Sequence, residues 1–318
     1  MTERITSQMV ANSTVTSINN DLSQLDQTQE QLSTGYQINE PSDNPVGASI
    51  TLSLQGQVSA YNAYQQNITQ GVSWVETEGT SLQQIEQVVQ STRELTVEAA
   101  NGTMSASDLE DAAQEVYQYI GQIKQTADTQ YDGSYVFGGS DVDTAPWQAD
   151  PSSPDTFAGN QNTISYAIGP STQLGVSANL YSVLGNGNTG GLAAASNGGG
   201  ALNADGSGGL LATMRTIYND LQTDNQSDLG NQLTNLDTNL SALEGVQANV
   251  GAAQDRLQMA DSRISSLSST DTIELGNVYD TDMAKATVAF STEQAGYQAA
   301  LQSTADIVQT SLLNFLQG

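Results

Sequence analysis

The chain has no cysteine and no histidine in its 318 residues. The first absence removes disulfides, thiolate metal sites and cysteine nucleophiles. The second removes the commonest general base and zinc ligand. Basic side chains are scarce as well: 7 Lys and Arg face 35 Asp and Glu, a formal net charge of −28. Such a surface repels phosphate backbones, so nucleic acid is excluded as a partner, and anionic membrane surfaces are disfavoured for the same reason. The acidic residues are spread along the chain rather than gathered in a tail, which reads as a solubilising surface suited to salty surroundings. No stretch reaches the roughly 18 apolar residues of a membrane span, and Met1 to Gln8 lack the apolar core of a cleavable secretory signal. Composition alone therefore points to a soluble, cytoplasmic chain without membrane insertion and without most enzyme chemistry.

What is present is helical seams. Ala11, Val15, Ile18, Leu22, Leu25, Gln29 and Leu32 follow one another at steps of four and three, one stripe on one side of a helix. Polar residues fill nearly everything between, so a lone helix of this kind has no core for its stripe and needs a partner. Near the other end Met283, Phe290, Tyr297 and Thr304 recur every seven residues, flanked by Ala286, Ala300, Leu301, Ile307, Val308 and Phe315. The two termini are expected to pack together or with neighbouring copies. A compact signature punctuates the first seam: Leu32-Ser33-Thr34-Gly35, Ile38-Asn39, then Pro41-Ser42-Asp43-Asn44-Pro45. Two prolines enclose short side chains able to cap the backbone, so the segment reads as a turn that opens the next helix.

Helical spacing returns with Ile68, Val72, Val75, Leu82, Ile85 and Val89 and runs to Ala99-Ala100 before Asn101-Gly102 breaks it. Ser107 with Glu110 reads as a capping box for a third helix, whose inner face is Leu109, Ala113, Val116, Ile120, Ile123 and Ala127. Beyond Tyr131-Asp132-Gly133 the period changes. Tyr135-Val136-Phe137, the alternating Thr163 to Ile168, and Leu174 to Leu180 are expected strands. Four of the six prolines lie between residues 146 and 170, where strands and turns accommodate them better than helices. Residues 185–209 hold 10 of the 29 glycines and read as a flexible loop. Helical spacing resumes at Leu210, Leu211, Met214, Ile217 and Leu221, then from Leu229 to Ile264. The expected fold class is mainly α with a small β insert, the N- and C-terminal helices pairing in a coiled-coil rod and the β-rich domain inserted in the middle. Expected parts are terminal assembly helices at 1–40 and 278–318, a helical rod at 41–134 and 210–277, a β-rich outer insert at 135–184, and the glycine-rich loop.

Several patterns imitate chemistry without its context. Gly185, Gly187 and Gly190 have dinucleotide-binding spacing, yet no βαβ unit surrounds them. Ser42-Asp43-Asn44 copies a β-lactamase tripeptide with none of its companions. Asp141 with Asp143, and Asp280 with Asp282, lack the other oxygen ligands of a calcium loop and read as turn or helix-start carboxylates. Tyr117, Tyr119, Tyr131 and Tyr135 have no basic neighbours to make a stacking platform for single strands, and with Trp74 and Trp147 they read as packing residues. No cofactor or metal is expected. A carboxylate hydrolase using Asp141, Asp143, Asp150 or Asp155 stands as a distant alternative.

The signature at 32–45, with Ala100-Asn-Gly-Thr103, Tyr135-Val-Phe-Gly-Gly139, Thr144-Ala-Pro-Trp147 and Ser311-Leu-Leu-Asn-Phe-Leu316, resembles the hook-associated protein 3 family, the flagellin-like proteins of the bacterial hook–filament junction. The likeness covers most of the chain outside the insert and glycine loop. It implies a structural adaptor assembled as a homo-oligomeric ring through its terminal helices, between hook-associated protein 1 and flagellin. It also implies secretion through the flagellar type III apparatus without a cleaved signal, hence an extracellular place that overrides the cytoplasmic reading. Filament flagellin, whose corresponding stretch typically lacks these prolines, is the alternative. Subunit packing would fall to Val15, Ile18, Leu22, Leu25, Leu32, Met283, Ala286, Phe290, Tyr297, Leu301, Ile307, Val308 and Phe315. By the same resemblance, an export chaperone would cover Ala286, Phe290, Leu301, Val308, Leu312 and Phe315. Family members carry Lys or Arg around the glycine and before the first proline, where this chain has Tyr36, Gln37 and Glu40.

Overall fold

In the computed structural model the described residues are 7–152, 155–185 and 208–316, with backbone alone at 7, 8, 10, 11 and 306–316. In chain order the elements are α1 (Ser7–Thr34), α2 (Pro45–Ala100), α3 (Ala106–Ala127), β1 (Gln130–Tyr131), β2 (Ser134–Tyr135), β3 (Ser165–Gly169), β4 (Thr172–Gly175), α4 (Tyr181–Leu184), α5 (Gly209–Gln222), α6 (Gln226–Tyr279) and α7 (Met283–Leu316). The fold is mainly helical, as expected, with a small β insert in the middle. The expected loop at 185–209 lies almost wholly outside the described residues.

Local chemistry sets the boundaries. Asn44 Oδ1 accepts the Gly47 amide at 3.0 Å and Pro45 takes the first helical position, so α2 starts where its free amides are either capped or missing. α3 corrects one expectation. Its capping box is Ser105 with Asp108, not Ser107 with Glu110: Ser105 has the extended backbone of a cap (φ −74°, ψ 163°), whereas Ser107 already lies inside the helix.

The insert is two small antiparallel ladders. Asp132 (φ 50°) and Gly133 (φ 79°) form the left-handed turn that joins β1 to β2. The expected strand at 135–137 shrinks to Ser134–Tyr135, because Val136 and Phe137 leave the ladder to be buried in the core. β3 pairs with β4 in the register Tyr166 opposite Leu174, with an irregularity between Ala167 and Gly169. The strand expected at 174–180 starts and stops early. Past Gly175 the Val176 N–H still meets Ile164 O at 2.9 Å, but the Ala178 N–H is taken by Glu78 Oε1 at 2.9 Å.

Two compact units divide the chain. In Tyr61–Ser265, α2 and α6 run antiparallel, with Gln247 Nε2 donating to Glu86 at 2.9 Å and Arg93 pairing with Asp237 at 2.7 Å. The continuous hydrophobic core lies here, from Ile68 to Ile264, with Trp147, Phe137, Ile120, Leu184 and Met214 almost wholly shielded. Helix-borne polar groups catch the insert's backbone: Asn67 Nδ2 donates to Ala167 O at 3.0 Å, and Asp128 Oδ1 accepts the Trp147 N–H at 2.9 Å. Buried Asp155 meets both Lys124 and Arg215, which also donate to the carbonyls of Asp150 and Pro151. The other unit, Met1–Ala60 with Ser266–Gly318, contains the α1–α7 pair. Its buried hydrophobic side chains, among the described residues, are only Ile38, Leu54 and Ala286.

Candidate assembly site on the terminal helices

α1 and α7 are antiparallel, since Gly35 O accepts the Thr281 N–H at 2.9 Å while Thr28 Oγ1, two turns earlier, donates to Glu293 Oε2 at 2.7 Å. On α1 the more sheltered positions are Thr14, Ile18, Asp21, Leu25, Thr28 and Leu32, a four–three alternation. On α7 they are Ala286, Phe290, Glu293, Tyr297, Ala300 and Thr304, the same alternation. The expected stripe is therefore split. Ile18, Leu25 and Leu32 lie in the sheltered row, and Val15 and Leu22 turn outward with 53% and 39% exposure. On α7, Ala286, Phe290 and Tyr297 are sheltered, and Met283 and Leu301 stay 49% and 44% exposed. The side chains of Ala11, Ile307, Val308, Leu312 and Phe315 lie outside the described residues.

The turn after α1 is built from the signature residues. Gly35 takes φ +79°, a left-handed conformation that closes the helix with its amide on Gln31 O at 2.9 Å. Asp43 Oδ2 accepts the Asn39 and Glu40 amides, each at 3.0 Å, and Asn39 Nδ2 reaches Tyr36 O at 3.2 Å. Pro41, Ser42 and Pro45 are exposed, with Ser42 Oγ donating to Glu40 at 3.1 Å. A Cβ on Gly47 would fall 2.6 Å from both the Asn44 side-chain nitrogen and Ile38 Cδ1, so a larger residue here would have to push those two side chains aside.

The turn docks on the break between α6 and α7. Gln37 N donates to Tyr279 O at 2.7 Å, and the rings of Tyr36 and Tyr279 stack at 4.1 Å. Asp282 Oδ1 accepts the amides of Ala284 and Lys285, capping α7. Beside it lies a groove of about 300 Å³ lined by Thr28, Gln31, Gln37, Lys285 and Glu293 among others. The sequence reading missed Thr28, Glu293, Gly47 and the tyrosine pair. A polar residue at a seam position and a glycine three residues after a cap were the available signals.

Exposed apolar surface is concentrated here. Of 13 exposed large hydrophobic side chains among the described residues, all but Met259 belong to the unit of the termini. They include Val46, Ile50 and Leu52 of α2, Leu267 and Ile273 of α6, and Val288 of α7. Of the patterns that imitated chemistry, Ser42-Asp43-Asn44 and Asp282 serve this turn and cap, and the others fall elsewhere. Asp155 is enclosed with Lys124 and Arg215, Asp150 accepts from Ser152, Asp141 is half-buried and Asp143 exposed. Gly187 and Gly190 lie outside the described residues.

The family model of the bacterial flagellin N-terminal helical region matches residues 5–141, and that of the C-terminal helical region matches 233–316. Flagellin of Bacillus subtilis is 25% identical over 295 residues, covering 89% of this chain and 88% of that protein. Flagellar hook-associated protein 3 of Salmonella typhimurium is 32% identical over 148 residues, covering 45% of this chain and 46% of that protein. In fold, the structure of flagellar hook-associated protein 3 from Legionella pneumophila superimposes with a TM-score of 0.57 at 16% identity, over 71% of this chain and 98% of that one.

Proposed function

The chain belongs to the flagellin-like superfamily, and from that premise we propose that it is a structural adaptor of the bacterial flagellum that joins hook to filament. It is a structural protein rather than an enzyme. One observation carries the assembly role: among the described residues, the unit formed by the termini has almost no core of its own and holds nearly all the exposed large apolar side chains. Surface of that kind is covered in a working protein by partners, here by neighbouring subunits that complete the seams. The outward residues Val15, Leu22, Met283 and Leu301 face those neighbours, and Ile18, Leu25, Phe290 and Tyr297 hold α1 on α7. The ring of identical copies, hook-associated protein 1 on one side, flagellin on the other, and a chaperone over α7 before export complete the reading.

The Pro41–Pro45 turn and the likeness of fold to hook-associated protein 3 favour the junction protein. A second reading, filament flagellin, is supported by the 88% coverage of the Bacillus subtilis flagellin. Deleting the gene in its flagellated host and viewing the flagella by electron microscopy separates the two. Hooks without filaments, flagellin lost to the medium and no rescue by a chain truncated before Met283 are expected of the adaptor. Absent flagellin above a complete set of hook-associated proteins would make this chain the filament subunit.

A further inference from the structure

We propose that Glu78 is a proton-operated latch that fastens the β insert to α2. Its side chain is wholly buried, and one oxygen, Oε1, accepts both the Trp74 indole N–H and the Ala178 backbone N–H at 2.9 Å. The second oxygen, Oε2, is buried with no hydrogen-bond partner. A carboxylate in that setting would leave charge on an unsatisfied oxygen in the core, whereas a neutral carboxyl suits it. Among the described residues no cation acts on the group. Residues 174–180 carry no ionisable side chain, and from α6 the neighbour of Gly79 is Val250. Glu76 and Glu86 on the same helix are occupied by Gln254 and Gln247. Tyr131 meets the Trp74 ring edge-on at 6.2 Å and Tyr166 lies against Gly71, where burial raises its phenol above the ordinary value.

The latch works in one direction. Burial pushes the Glu78 carboxyl up to about 8, against the hydrogen bonds from Ala178 and Trp74, which pull it down. Once the insert lifts and water reaches the group, it ionises at its ordinary value. The docked state therefore holds a proton that the open state releases between about pH 4.5 and 8. Docking is tightest in acid and loosens up to tenfold per pH unit until the docked carboxyl itself ionises, with no further loss above that. The Ala178 amide is the point of release: its partner becomes a charge that water solvates better than the core does.

The absence of cysteine makes the opening measurable, because one introduced thiol is the only one present. In the full chain, Val176→Cys places a thiol at a position 3% exposed, two residues from Ala178. Its labelling rate, divided by that of the unfolded chain at each pH, is expected to rise up to tenfold per unit between pH 6 and 8 and then level off. With Glu78→Gln added, the ratio is expected to be flat. In the otherwise natural chain, the tryptophan emission is expected to show a transition near pH 8, carried by Trp74, and to lose that transition in Glu78→Gln. A slope unchanged by Glu78→Gln, or tryptophan emission with no transition between pH 6 and 9.5, overturns the latch.

Discussion

Asp155 shows how a few side chains can govern a whole segment. Two of only seven basic residues in the chain, Lys124 and Arg215, converge on it with all three side chains fully enclosed. Removing the carboxylate takes the shared counter-charge away from two buried cations, and breaking such a cluster costs about 3–5 kcal/mol. Asp155→Ala is thus expected to lower the urea midpoint sharply, while Asp143→Ala, at an exposed position, leaves it nearly unchanged. pH acts at the same scale. Burial raises Asp128 to about 6 against the Trp147 amide and Lys124, which lower it, and burial raises Asp220 to about 6 as well. Both folded values exceed the unfolded 3.8, so the folded state binds protons that the unfolded state gives up between about pH 4 and 6. The part of the stability that these two groups supply is expected to be fullest below about pH 4 and to fall through that window, with Asp128→Asn flattening part of the slope in denaturant titrations. None of this was legible beforehand: Asp155 read as one of four loose carboxylates, because its partners lie 31 and 60 residues away in sequence.

Among elements, the terminal pair separates what a helix needs to fold from what it offers. α1 shelters Ile18 and Leu25 against α7 and leaves Val15 and Leu22 outside. A charge at Leu22 therefore meets water in the single chain and, on the proposed assembly, would meet an apolar neighbour. Leu22→Glu is expected to leave monomer unfolding within about 0.5 kcal/mol of the parent, as exposed substitutions do, and to abolish incorporation into flagella. Loss of monomer stability instead would place Leu22 in the fold rather than in the interface. The heptads of both helices were readable because apolar spacing is a local property. Which flank faced inward was not, since Thr14, Asp21 and Thr28 occupy sheltered positions that polarity alone would assign to the surface. The α3 cap went astray by two residues for a related reason: Ser105 and Ser107 both precede an acid by three residues, and only the extended backbone of Ser105 tells them apart.

For the whole molecule, charge and apolar surface pull against each other. Copies carrying −28 repel until salt screens them within about 8–10 Å at physiological ionic strength, while the surface they must join is apolar and strengthened by salt. Assembly is expected to be weak at low ionic strength and to increase toward molar salt, measured by sedimentation or by filament-bearing hooks counted across a salt series. Indifference to salt would remove charge repulsion as the restraint on premature polymerisation.

By itself the sequence determined the helical class, the turn at Pro41–Pro45, the small insert and the need of the termini for partners, because each follows from short-range periodicity, capping or composition. Only the tertiary structure decided which seam residues face α7, that Glu78 is buried beneath the insert, and that Lys124 and Arg215 share Asp155. Those facts depend on burial and on pairs brought together from distant parts of the chain, and desolvation has no signature in the order of residues.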